Sequence, residues 1–260
     1  MNVKFPIPCI TEKFVDDIVF RCGGRRPTQK EKSNETIKNA DYLFDNAIAE
    51  LKIIEEEGLE KEERQSNIAN IFKEIYPQAD FVNIAQALED TTVKRKYLGI
   101  IEKPIRKVIR KASKQLKSTS SFLGWEDPEK IIIVVNNGFS SIQPEDFEEI
   151  CLKSSSNDTK QIDSIVIVTL RVIGNGFDTM TFINTKALKV NETKQSSLSE
   201  ELRAGAITKY AEAMTFMMQN QIEASNSPDK AKYIEDILFK KHGITFVLPA
   251  PYLPNSMFEK

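Results

Sequence analysis

Asp41, Glu50 and Lys52 are the residues of this 260-residue chain whose types and spacing point most directly to chemistry. They lie in Asn39 to Ile54, NADYLFDNAIAELKII, where Tyr42-Leu43-Phe44 and Ala47-Ile48-Ala49 flank Asp45-Asn46. Asp and Asn tolerate the positive φ angles of a two-residue turn, so the segment predicts a β-hairpin. In that register Phe44 faces Ala47, Leu43 faces Ile48, Tyr42 faces Ala49 and Asp41 faces Glu50. Directly opposed residues sit about 4.5 to 5.5 Å apart at Cβ, where two like charges are destabilising. A cation removes that conflict. Side chains alternate with period two, so Lys52 shares the face of Glu50, while Ala49, Leu51 and Ile53 point the other way into a core. Two carboxylates suit Mg²⁺ or Mn²⁺, and a neighbouring ammonium orients an attacking water and offsets charge on a phosphate. The competing reading of the same residues is a solvated strand face with a cross-strand ion pair.

Ala40-Asp41 followed by Glu50-Leu51-Lys52 on the next strand resembles the PD-(D/E)XK nuclease superfamily, with Ala40 where that pattern often has proline. The resemblance implies a restriction-endonuclease-like α/β fold. Its αβββαβ core is a mixed sheet flanked by helices, with a C-terminal helical extension here. It also implies that Asp41 and Glu50 bind a divalent metal, Mg²⁺ or Mn²⁺, and that Lys52 assists the hydrolytic water. An acid on the helix before the hairpin often joins such a site, which makes Glu12 and Asp16 further candidate ligands. Lys61, Arg64 and Gln65, on the helix after the hairpin, are candidates for a polar group near the metal. The bare triplet recurs at Glu192-Thr193-Lys194, in a polar run with no hairpin and no upstream aspartate.

The elements that must position these residues are legible in order. Thr11 is expected to cap a helix to about Phe20, buried through Phe14, Val15, Ile18 and Val19. Cys22-Gly23-Gly24-Arg25-Arg26-Pro27 breaks it, and its two arginines either touch phosphate or are solvated. After the hairpin, Ile68, Ile71, Phe72 and Ile75 recur at helical spacing. The segment Lys103 to Lys117, KPIRKVIRKASKQLK, predicts a helix opening at Pro104, with Ile105, Val108, Ile109, Ala112 and Leu116 on its apolar stripe. Its other face carries Lys103, Arg106, Lys107, Arg110, Lys111, Lys114 and Lys117 without an acid, a patch fit for phosphate contact or simply a solvated lysine-rich face. Ile131 to Val135 reads as a strand buried on both sides, with Asn136-Asn137-Gly138 ending it and Pro144 opening a helix. Ile165 to Leu170 and Met180 to Ile183 predict two more strands joined across Gly174-Asn175-Gly176. Ser197-Leu198-Ser199-Glu200 reads as a capping box for a helix to about Ala224, with Leu202, Ala206, Tyr210, Ala213, Met214 and Met217 on its apolar side. Ser227-Pro228 opens another helix that ends near His242-Gly243. The run Ile244 to Leu248 predicts an edge strand, and the tail from Pro249 lies on the surface.

Composition narrows the function classes. With 40% hydrophobic residues the chain can bury a substantial core, read as a nuclease-like domain over residues 1–190 with a helical extension over 191–260 packed on it. A net charge of −2 excludes a uniformly basic nucleic-acid binder, so contact must come from a local patch such as the 103–117 face. Cys9, Cys22 and Cys151 give neither a disulfide framework nor a zinc pattern. His242, the one histidine, reads as a helix C-cap, and catalysis by Ser-His-Asp or Cys-His is excluded. No long apolar run and no signal-peptide h-region is present, so the expectation is a cytoplasmic protein without a membrane span.

Two function classes stay open at this point. One is a Mg²⁺-dependent hydrolase of phosphodiester bonds, with DNA rather than RNA implied by the resemblance alone. The other is a non-catalytic protein of the same fold that binds nucleic acid or a partner chain through Arg106, Lys107, Arg110, Lys111 and Lys114. In either case the C-terminal helices are the expected contact for a homodimer or a larger defence or repair assembly.

Overall fold

The run Ile131 to Val135 lies in the middle of a sheet and is buried along its whole length, because strands flank it on both sides and helices cover both its faces. The computed structural model describes residues 10–32, 39–55, 58–59, 61–137, 142–158, 161–174, 179–194, 196–219 and 236–248. In chain order these form helix α1 (Glu12–Arg21), strands β1 (Tyr42–Leu43) and β2 (Ala47–Ile54), helix α2 (Glu62–Ile75), strand β3 (Phe81–Asn83) and the short helix α3 (Ile84–Ala87). Helix α4 (Thr91–Leu123), strand β4 (Glu129–Asn136), helix α5 (Pro144–Asp158) and strands β5 (Ser164–Gly174) and β6 (Thr179–Lys189) follow. Helix α6 (Leu198–Gln219) and strands β7 (Ile237–Lys241) and β8 (Ile244–Leu248) complete the described chain.

The main sheet has the order β1-β2-β4-β5-β6. Strands β2, β4 and β5 run parallel, and β1 and β6 close the two edges antiparallel. The protein is an α/β fold with a mixed sheet flanked by helices. Alternation along the strands sends Ile48, Ile54, Ile132, Val134, Ile165 and Ile167 to one face, packed with apolar residues of α2, α4 and α5. It sends Ala49, Leu51, Ile131, Ile133, Val135, Val166 and Val168 to the other, against α1 and α6. Glu50 and Lys52 therefore point into the face covered by α4.

Helix α4 is longer than the sequence reading expected. It starts at Thr91, where Asp90 accepts from the Thr92 and Val93 N–H groups, and it closes at Gly124 with φ 65°. Pro104 lies inside it rather than at its start. An interior proline costs about 3 kcal/mol. Val93, Tyr97 and Ile101 extend the buried stripe of Ile105, Ile109, Ala112 and Leu116 upstream, and burying Val93 and Ile101 alone contributes about 1.5–3 kcal/mol each. Packing overrides the local boundary signal.

The C-terminal region also departs from expectation. The helix foreseen from Ser227-Pro228 begins outside the described residues, and its foreseen end is strand β7. His242 and Gly243 have φ 52° and 83°, both left-handed, so they form the two-residue turn of a hairpin in which Lys241 pairs with Ile244. Strand β8 is not an edge: it sits between β3 and β7 in a second sheet. Its inward residue Phe246 lies 4.9 Å from the Phe239 ring and 5.7 Å from the Phe72 ring, which joins this sheet to α2 and the common core. Residues 191–260 thus contribute a hairpin as well as a helix. At the start of α6, Ser196 rather than Ser197 accepts the Leu198 N–H, while the Ser197 hydroxyl donates to Glu201 and Glu200 pairs with Arg203. Leu202 and Ala206 are buried in the layer that includes α1. Cys9, the turn at Asn175-Gly176, the side chain of Met217 and the tail from Pro249 lie outside the described residues. Among the described residues no helix is long and apolar enough to cross a membrane.

Candidate active site

The hairpin forms in the expected register. Phe44 N–H donates to the Ala47 carbonyl at 2.8 Å across Asp45-Asn46, and Leu43 pairs with Ile48 and Tyr42 with Ala49. One step further, Asp41 stands against Glu50. A second line of backbone pairing holds the other side of β1: Arg25 N–H donates to the Leu43 carbonyl at 2.9 Å and Leu43 N–H to the Arg25 carbonyl at 2.8 Å. The chain reaches that bridge over Gly24, where a Cβ would lie 2.4 Å from the Phe44 ring and 2.5 Å from Val19. Only glycine permits so close an approach.

Glu50 is 1% exposed. One carboxylate oxygen, Oε1, is bonded by the Lys52 ammonium, and the other, Oε2, is buried without a hydrogen-bond partner among the described residues. Burial first, and then the charge of Asp41, push the Glu50 carboxyl up to about 8, against the opposing pull of Lys52. Asp41 is 29% exposed on its side chain, and its Oδ2 accepts the Leu51 N–H at 2.9 Å. The site therefore meets solvent through Asp41, with Glu50 behind it.

Sequence reasoning missed the residues of α4 that fix this pair. Lys52 Nζ also donates to Gln115 Oε1 at 2.9 Å, and Gln115 Nε2 donates to the Asn39 carbonyl at 3.2 Å. Thr119 Oγ1, one turn on, accepts the Ala40 N–H at 2.7 Å. Gln115 and Thr119 share one face of the helix and tie down the two residues that precede Asp41. A signal was present: Gln115 is the amide in a run of cations, at the border between the apolar stripe and the charged face. Lys61, Arg64 and Gln65 stand at the start of α2, and the polar side chain that reaches Lys52 comes from α4 instead.

Glu12 and Asp16, the candidates for one further acid at the site, meet the hairpin through Arg26. Thr11 caps α1 by accepting the Phe14 N–H at 3.3 Å, and the two acids project one turn apart. Both are held by Arg26, whose Nη2 lies 2.6 Å from Glu12 and 2.7 Å from Asp16. Asp16 also accepts from the Tyr42 hydroxyl at 2.8 Å, and the Arg26 guanidinium lies 4.4 Å over the Tyr42 ring. Among the described residues no three Asp, Glu, His or Cys side chains form a group that could hold a metal ion. A fixed guanidinium already satisfies the two helix acids. Asp41 and Glu50 remain as a two-carboxylate pair, and the orphaned Oε2 of Glu50 beside a second carboxylate fits a hard divalent ion that completes its shell with water and phosphate oxygen.

The basic helix face is in place on α4. Lys103, Arg106, Lys107, Arg110, Lys111 and Lys114 line a recess of about 640 Å³. Arg106 also bonds Glu102 at 3.2 Å, while Lys103, Lys107, Lys111 and Lys114 are exposed. Val108 is partly buried and the rest of the foreseen stripe is fully so. Comparison with known proteins gives no match: no family model, no curated protein and no solved structure aligns with this chain.

Proposed function

We propose that this protein is a divalent-metal-dependent nuclease with a restriction-endonuclease-like core. The observation that carries the reading is the placement of Asp41 beside Glu50 and Lys52, with a Glu50 oxygen buried and without a hydrogen-bond partner among the described residues. The chain order supports it as well. Helix α1, the Arg25 bridge, β1 with the aspartate just before it, β2 carrying Glu50-Leu51-Lys52, the α4 crossover and parallel β4 come in αβββαβ order, with α2, β3 and α3 inserted between β2 and α4 and the first strand reduced to one bridge.

Asp41 and Glu50 would hold Mg²⁺ or Mn²⁺, which in such a position polarises a phosphate oxygen and lowers the pKa of a bound water. Lys52 has three ammonium donors. Two of them are taken by Glu50 and Gln115, and the third would be the one offered to a water or a phosphate oxygen. Gln115 and Thr119 keep the Asn39-Ala40-Asp41 segment from moving away during the step. The α4 cations supply phosphate contact along the substrate backbone, taken as DNA from the resemblance. Incubating the protein with plasmid and with RNA, in Mg²⁺, in Mn²⁺ and in EDTA, tests the reading. Cleavage in metal that is lost in EDTA and in Glu50→Ala is the expected result, and cleavage that survives Glu50→Ala rejects this site.

A second reading is favoured by the deep burial of Glu50. There the Glu50–Lys52–Gln115 network is architectural, and the basic recess is the working surface of a non-catalytic binder. It expects salt-dependent nucleic-acid binding without a metal requirement.

A further inference from the structure

Arg26 meets three carboxylates beside the candidate site. Its backbone follows the Arg25–Leu43 bridge directly. Its guanidinium meets three carboxylates: Nη2 with Glu12 at 2.6 Å, Nε and Nη2 with Asp16 at 2.9 and 2.7 Å, and Nη1 with Asp41 Oδ1 at 3.7 Å. The first two contacts are close, charge-assisted hydrogen bonds, and the third is a loose ion pair. Asp41 thus has its Oδ2 committed to the Leu51 N–H and its Oδ1 turned to a cation that has firmer partners elsewhere. The Tyr42 ring lies 4.4 Å beneath the guanidinium, and the side chain is 34% exposed.

We propose that Arg26 is a built-in counter-cation of the metal site and the residue that positions the substrate phosphate. With no divalent ion bound, its charge neutralises Asp41. When an ion occupies the Asp41–Glu50 pair, the loose Nη1 contact is the one given up, while Glu12 and Asp16 keep the guanidinium in place at the margin of the site. The Nη1 edge then faces the phosphate that shares the ion. A planar fork in that position matches phosphate oxygens better than an ammonium does. The two roles have opposite consequences for removal of Arg26: the metal binds more tightly and the phosphate more weakly. A purely structural arginine, tying α1 to the hairpin, gives no loss of phosphate binding; tighter metal binding alone does not separate the two, because Glu12 and Asp16 lose their partner as well. The inference rests on the metal site proposed above, and the measurement separates the two.

Mn²⁺ alone is titrated into the full-length protein without nucleic acid, and free Mn²⁺ is read by electron paramagnetic resonance for wild type, Arg26→Gln, Arg26→Lys and Glu50→Gln. Loss of a cation this close to a metal ligand is expected to tighten Mn²⁺ binding in Arg26→Gln by about tenfold. Arg26→Lys keeps the charge and stays near wild type in Mn²⁺ affinity, which holds the test open if Arg26→Gln does not fold. Both variants are expected to raise KM for a short duplex. Mn²⁺ binding by wild type that disappears in Glu50→Gln, with Arg26→Gln unchanged or weaker, overturns the role of Arg26 and leaves the metal site standing. If Arg26→Gln does not fold, an unchanged KM in Arg26→Lys overturns it equally. Absence of Mn²⁺ binding from both wild type and Arg26→Gln removes the metal site itself, and this inference with it.

Discussion

Gln115 on α4 accepts a 2.9 Å hydrogen bond from Lys52 on β2, so the helix that crosses the sheet also sets the ammonium beside Glu50. Replacing Gln115 with Leu keeps the volume and removes both this acceptor and the donor to the Asn39 carbonyl. Lys52 is 15% exposed on its side chain, so water only partly replaces the missing acceptor. The expected cost is about 1–3 kcal/mol in chemical denaturation. If the site hydrolyses phosphodiesters, cleavage is expected to fall by about 10- to 100-fold, as for other groups that orient a metal-site residue. Plasmid nicking beside a denaturation curve checks both.

Gly24→Ala tests the backbone route to Arg26. The added Cβ would meet the Phe44 ring at 2.4 Å and Val19 at 2.5 Å, both part of the packed layer under α1. Overpacking of this kind costs about 1–3 kcal/mol. Because the Arg25–Leu43 bridge follows immediately, the variant is also expected to loosen the Arg26–Asp16 pair. Hydrogen exchange at Arg25 and Leu43 faster than global unfolding allows is the readout.

The hairpin was legible because its information is local: two turn-forming residues, apolar flanks and a period of two fix which side chains share a face. That is why Asp41, Glu50 and Lys52 could be brought together on paper. What sequence could not supply were contacts whose partners lie far apart in the chain. Gln115 is 63 positions from Lys52, and Thr119 is 79 from Ala40. Glu12 and Asp16 look like free ligands until Arg26, from the next loop, is seen to hold them. Pro104, read as a helix start, and His242, read as a helix end, misled for the related reason that local boundary signals yield to tertiary burial. The stripe from Val93 to Leu116 carries α4 through the proline, and the pairing of β7 with β8 turns an expected helix end into a hairpin turn.

The burial of Glu50 gives a pH dependence with a definite sign. Its carboxyl is raised from the ordinary 4.5 to about 8, so between these values the folded protein holds a proton that the unfolded chain has released. That contribution to stability is complete below pH 4.5 and is lost as pH rises through 8. Metal-free protein is therefore expected to melt at a lower temperature at pH 9 than at pH 6. Glu50→Gln, which cannot ionise, flattens that part of the profile in calorimetry. If Asp41 and Glu50 hold a divalent ion, that ion needs the carboxylate, so its affinity rises over the same window and its binding releases protons. A wild-type melting profile that is flat from pH 6 to 9 would contradict the assignment.

The α4 cations separate phosphate contact from fold maintenance, because the stripe that holds the helix and the face that carries charge do not overlap. Ile105, Ile109, Ala112 and Leu116 are fully buried, whereas Lys103, Lys107, Lys111 and Lys114 are exposed. Changing these four lysines to Gln is expected to leave thermal stability nearly unaltered, since surface substitutions are usually within about 0.5 kcal/mol each. If the recess binds duplex DNA, each phosphate that the variant no longer neutralises reduces the slope of log affinity against log salt by about 0.9. Fluorescence anisotropy across a salt series reads that slope without requiring cleavage. A weakened slope with intact melting supports the recess as the binding surface. An unchanged slope moves nucleic-acid binding away from α4 and leaves these lysines as a solvated face.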